Sequence, residues 1–228
     1  MPNRALAALL VCAAGCLVPR DPADPAAGPA DAGLAAASAD ELSRAADCLD
    51  RGDRAAAAAH LAAHVRAHPD EVMVRAHLAE VLFRLGRAAE AAGEFERFVA
   101  DAQPMTGPPR QHLVHCHTRL MAIAAARGDA YREALHRGIG LRLLVAEWDA
   151  DPARRDEGMA GEALKKAADA LREAREERPG DARANLYLAE VYARLGQPGP
   201  AREAARAARA GVPYGLTPAE ADRLAAME

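Results

Sequence analysis

At 228 residues and 24.0 kDa the chain has material for one sizeable core or one extended helical array. A formal net charge of −4 and a pI near 6.1 leave no basic field to attract nucleic acid. Hydrophobic residues make up 51% but aromatics only 4%; Ala fills the gap, and Ala favours helix, so the expected class is all-α.

Residues 1–17 read as a targeting segment. Arg4 supplies a positive start, and Ala5–Ala14 is an apolar run too short to span a bilayer comfortably. Ala13-Ala14-Gly15-Cys16 resembles the lipobox of bacterial lipoproteins, although Ala13 stands where that box usually has Leu. The resemblance implies cleavage before Cys16 and its lipidation. The same small residues also suit ordinary signal cleavage, and an unprocessed cytosolic start is the third reading. Residues 18–37 carry four prolines between Pro19 and Ala37 and no large apolar cluster, which predicts a disordered, semi-extended tether.

The folded region is expected over 38–213, opening on a capping box at Ser38-Ala-Asp-Glu41. Leu78–Gly86 (LAEVLFRLG) returns as Leu188–Gly196 (LAEVYARLG), 110 positions on, each copy preceded by a matching proline, Pro69 and Pro179. Gly52, Gly86, Gly128 and Gly196 are spaced by 34, 42 and 68 residues, the last being twice the first. The interval of 42 holds a Pro/Gly-rich loop, Gln103–Arg110. Each unit reads as an apolar helix closed by a left-handed Gly, then an Ala-rich helix stopped by Pro. Ala167, Leu171, Ala174 and Pro179 recur 34 residues later as Ala201, Ala205, Ala208 and Pro213.

This pattern resembles the tetratricopeptide repeat (TPR) family, whose 34-residue unit is a helix–turn–helix. In its register the small residue of the first helix is Ala45, Ala79, Met121 and Ala189. The bulky residue three places on is Cys48, Leu82, Ala124 and Tyr192, and the second helix opens with Ala57, Ala91, Ala167 and Ala201. The resemblance implies an α-solenoid of four to five repeats. The fourth is degenerate, because Trp148–Gly161 lacks the apolar stripe of a buried helix. A long helix over about 130–148, an irregular link and a second long helix over about 156–178 are expected there. Residues 214–228 read as a C-terminal capping helix, with a box at Thr217-Pro-Ala-Glu220 and Leu224 as its buried residue.

The family resemblance places binding on the concave face formed by the first helices. In this chain that means Met73, Glu80, Phe83 and Arg84, then His115 and Thr118, then Arg183, Leu186, Glu190 and Arg194. Glu80/Arg84 and Glu190/Arg194 are also i, i+4 pairs that would stabilise any exposed helix. The positions at which some TPR domains clamp a C-terminal carboxylate hold Leu42, Ala46, Ala76, Glu80, Thr118 and Ala122 here, which speaks against that mode. A groove mixing Met73, Phe83 and ion pairs suits an amphipathic helix or extended peptide.

Two histidine groups offer other chemistry. His60, His64 and His68 form one stripe, with His64 at a packing position; His112, His115 and His117 flank Cys116. They motivate an alternative reading as a metal- or haem-binding module, but no HExxH, paired CxxC or CxxCH is present, so no metal or cofactor is assigned. Cys48 and Cys116 read as buried small hydrophobes. No phosphate loop or nucleophile–base set points to an enzyme. The leading expectation is a non-enzymatic binding scaffold for another protein or peptide. It is exported, to the periplasm or to a membrane through Cys16; a cytosolic adaptor subunit is the alternative.

Overall fold

The computed structural model describes residues 29–151, 156–211 and 216–227. The lipobox-like segment, with Cys12 and Cys16, lies outside the described residues. Every element among the described residues is helical, and the fold class is an all-α solenoid of helix–turn–helix repeats. The chain divides into two compact units, Met1–Phe98 and Val99–Glu228.

The first unit holds α1 (Pro29–Asp50), α2 (Arg54–Ala67), α3 (Val72–Arg84) and most of α4 (Ala88–Ala102). Helix α1 starts nine residues upstream of Ser38, so that serine is helical rather than an N-cap, and residues 29–37 are not the extended chain expected of them. The cause is composition: Leu34-Ala-Ala-Ala37 costs little to add to a helix already formed. Its core is built from small residues. Ala45, Ala57, Ala79 and Ala91 are all fully buried, at the register positions that demand close helix approach, with Leu61, Phe95 and Phe98 filling between them. Polar contacts tie successive helices: His60 to Glu41 (2.7 Å), His64 to Glu71 at the start of α3 (2.9 Å), and Arg75 of α3 to Glu94 of α4 (3.4 Å).

The second unit holds the end of α4, then α5 (Pro108–Gln111), α6 (Leu113–Ala126), α7 (Ala130–Ala150), α8 (Glu157–Glu177), α9 (Ala182–Arg194), α10 (Pro198–Ala210) and α11 (Pro218–Ala225). Helix α5 is a single turn inside the Pro/Gly-rich loop. Helices α7 and α8 fall where the sequence placed two long helices around an irregular link. They pack at close range because Gly138 lies against Leu171; a Cβ there would sit 2.5 Å from Leu171 Cγ. One core runs through this unit, from Leu135 and Ile139 of α7 through Leu164 and Leu171 of α8 to Tyr187, Leu188 and Val191 of α9.

The four glycines that keep the period, Gly52, Gly86, Gly128 and Gly196, all take positive φ between 67° and 78°. Two of them are followed by an aspartate that caps the next helix: Asp53 accepts from the Ala56 amide and Asp129 from the Arg132 amide, both at 3.0 Å. Those caps complete the turn and were legible as Gly-Asp, a signal the repeat register alone passes over.

Candidate functional site

The candidate site is the face of α9 and the helix that lies on it. α9 forms because Asp181 caps it, accepting from the Arg183 amide at 2.7 Å, while Ala184, Leu186, Tyr187, Leu188 and Val191 all turn into the core. Asp181 also accepts from the Tyr131 hydroxyl of α7 at 2.6 Å, and burial followed by this bond pushes the Tyr131 pKa up. Arg178 stacks over the Tyr131 ring at 4.0 Å.

Helix α11 carries the expected capping box, with the Thr217 hydroxyl accepting from the Glu220 amide (3.2 Å) and Glu220 accepting from the Thr217 amide (2.8 Å). Its buried residue is Glu220, 1% exposed; Leu224, expected to fill that role, is only half-buried. A buried carboxylate must be compensated. Here it accepts from the Tyr187 hydroxyl at 2.8 Å, from Arg183 Nε at 3.0 Å and from Gln103 Nε2 at 3.3 Å. Gln103 in turn accepts from the Thr217 hydroxyl at 2.7 Å. One turn further along, Arg223 donates to Glu190 at 2.8 Å, and Arg142 of α7 pairs with the other oxygen of the same carboxylate. The Tyr187 pKa is raised, first by burial and then by the Glu220 charge.

The residues expected to meet a partner have different fates. Met73 and Phe83 are half-buried, and Arg84, His115, Thr118 and Arg194 are exposed. Glu80 is 7% exposed and bonded by Arg84 at 2.8 Å, the i, i+4 pair foreseen. Its counterpart does not form: Glu190 goes to Arg142 and Arg223, while Arg194 makes a bidentate pair with Asp149 at the end of α7, Nη2 to Oδ1 at 2.8 Å and Nε to Oδ2 at 3.2 Å. Leu186 is fully buried and presents no surface. Arg183 and Glu190 are engaged by α11.

The first unit has a groove of about 500 Å³ that the repeat register did not single out. Its floor is Ala58, Ala62, Leu78 and Leu82, and Glu94 and Arg97 stand on its wall. Alanines at packing spacing carry no sign of being left open at one end, so sequence reasoning had nothing to find it by.

The histidines separate. His64 is buried and bonded to Glu71, while His60 and His68 border solvent. His117 does not join Cys116 but meets His136 of α7, Nδ1 to Nδ1 at 3.1 Å. Both rings are buried. Burial, then the nearby Arg183 and Arg132 charges, drives the His136 pKa down to about 3; burial and then His136 itself lower that of His117. Cys48 and Cys116 are buried and form no disulfide. Among the described residues no three His, Cys, Asp or Glu side chains converge as a metal site, and no helix is long and apolar enough to cross a membrane.

The sequence pattern of the tetratricopeptide repeat matches residues 42–105 and 160–215. Two solved structures are similar at 18% identity. The MamA RS-1 ArsTM double mutant covers 75% of this chain and 92% of its own, with a TM-score of 0.39. MamA 41-end from Desulfovibrio magneticus RS-1 covers 75% and 93%, with a TM-score of 0.38. No curated protein matches the chain.

Proposed function

Because this chain belongs to the tetratricopeptide repeat family, we propose that it is a non-enzymatic scaffold that receives a helix or extended segment of another protein on the faces of its first helices. One observation carries the reading. The chain already seats a helix of its own, α11, on α9 through Arg183 and Glu190. In the 110-residue repeat those two positions correspond to Met73 and Glu80 of α3. On α3 the face offers Met73 and Phe83, half-buried, beside the Glu80–Arg84 pair, an apolar strip with an ionic edge suited to an amphipathic helix. His115 and Thr118 on α6 and Arg194 on α9 are the other exposed first-helix positions.

The test is site-specific crosslinking in cells that make the protein. A photoreactive residue at Met73 or Phe83 should trap one and the same partner species, and a photoreactive residue at the exposed Arg66 of α2 should not. Equal trapping at all three positions, or trapping at none, overturns the assignment.

The scaffold is further proposed to be exported and tethered through Cys16, on the strength of the apolar run and Ala13-Ala14-Gly15-Cys16. Intact mass of the native protein is the check. A mature chain beginning at a lipidated Cys16 is expected; one beginning at Met1 refutes export and favours a cytosolic adaptor.

A further inference from the structure

The C-terminal helix is held in an unusual manner for a cap. A terminal helix that merely shields a solenoid end buries apolar side chains. In α11 the one fully buried side chain is a carboxylate, Leu224 is half-buried, and Pro218, Ala221, Asp222 and Ala225 are exposed. The apolar share of the docking rests on partly buried side chains alone, Ala219, Leu224 and the Met227 that packs against the core of this unit. What places the helix is recognition. Gln103, Arg183 and Tyr187 surround the two oxygens of Glu220, Gln103 also accepts from the Thr217 hydroxyl, and Glu190 takes the guanidinium of Arg223 one turn on. These contacts read a definite object: a helix start with a hydroxyl at the cap, a carboxylate three residues later and a cation three residues after that. Arg183 brings two nitrogens to one oxygen, Oε2, with Nε at 3.0 Å and Nη2 at 2.9 Å, while Tyr187 and Gln103 take Oε1, so both oxygens have fixed and different partners.

We propose that the Gln103–Arg183–Tyr187 pocket is a binding site for helix N-termini of the pattern Thr/Ser-Pro-x-Glu-x-x-Arg/Lys, and that α11 is its occupant in cis, displaced by a partner helix with the same start and a fuller apolar face. This rests on the scaffold reading and adds the chemistry of the partner and its regulation. The tethered helix competes at the high effective concentration of an intramolecular ligand, which sets a threshold that only a better-packed helix exceeds. The buried carboxylate makes the threshold selective: a helix lacking it would leave Arg183 and Tyr187 facing an apolar contact without an acceptor.

The experiment uses the full chain and a labelled peptide of residues 216–228. Glu220→Ala should free the pocket, so this variant binds the peptide at least tenfold more tightly than the wild type. Adding Arg183→Ala to that variant should abolish the gain, and a peptide with Gln in place of its Glu should lose at least tenfold. A Glu220→Ala chain that keeps its melting temperature yet binds no better than wild type overturns the proposal, as does binding indifferent to Arg183. Should Glu220→Ala fail to fold, amide exchange decides on the unaltered chain. A peptide of residues 216–228 in which the half-buried Ala219 is replaced by Leu, added in excess, should accelerate exchange at the amides of Glu220 and Ala221, and unchanged exchange sinks the idea. Either failure leaves the crosslinking result at Met73 and Phe83 untouched, so the two claims fall separately.

Discussion

Single residues decide how closely the helices of the second unit approach. Gly138 on α7 has no room for a Cβ, since Leu171 Cγ and the Ala167 carbonyl would lie 2.5 and 3.1 Å away, whereas Gly161 on α8 meets nothing within 4 Å. Both substitutions to Ala raise helix propensity by about 1 kcal/mol. At Gly138 overpacking opposes this at about 1–3 kcal/mol. Gly138→Ala should therefore lower the denaturation midpoint and Gly161→Ala should raise it, and a urea titration of the pair reads the difference. The buried His117–His136 pair makes a second prediction. Both folded pKa values lie below the ordinary value of 6.5, so well above that pH the two rings are uncharged in either state and contribute no pH dependence. As pH falls below 6.5 the unfolded chain takes up protons that the folded one refuses. Stability should drop, by about 2 kcal/mol at pH 5 from His136, with His117 acting in the same direction. The groups that set this environment are Arg142, Arg183, Arg132 and Asp129. Melting temperature measured from pH 8 to 5 should fall steeply below 6.5 in the wild type and less so in His136→Phe.

At the scale of elements, what was legible in the chain was local. Glycine at a fixed period pinned four turns because the left-handed backbone there is a property of the residue itself. The long α7–α8 pair was legible from a Pro, two Gly and charges interrupting an apolar stripe. Misreadings came where the deciding partner is distant in sequence. Glu220 is buried because Arg183 and Gln103 await it, and no local pattern names them. Glu190 leaves Arg194 for Arg142 and Arg223 for the same reason, although Glu80–Arg84, of identical spacing, closes on itself. Among the candidate partner residues, the exposed ones could be placed by register, but Leu186 looked the same as a surface position and lies in the core. The Gly-Asp turns yield an element-scale test: Asp53→Ala should cost about 1 kcal/mol through loss of the cap on α2, and Asp53→Asn much less. Chemical denaturation of the two variants checks it.

For the molecule as a whole, the histidines were the one feature that suggested a bound metal or haem, and the structure spreads those it pairs over separate contacts. His60 and His64 are each matched to a glutamate, and His117 to a second imidazole. Exhaustive dialysis against a chelator should leave the melting temperature unchanged; a drop of several degrees would reinstate the metal reading. The repeat architecture itself was open to reading because alanine does two jobs at once in this chain, favouring helix everywhere and permitting contact at the register positions. That same economy hides the groove of the first unit, since an alanine that packs and an alanine that lines a gap are spelled alike.

The scarcity of aromatics has a practical side. The chain has a single tryptophan, Trp148, and it sits partly buried against the core of the second unit, one residue from the Asp149 that holds Arg194. Its emission is thus a native optical signal confined to one half of the protein. Fluorescence will follow the melting of that half while the first, carrying no indole, stays dark, and comparison with circular dichroism then times the two halves without any label being attached.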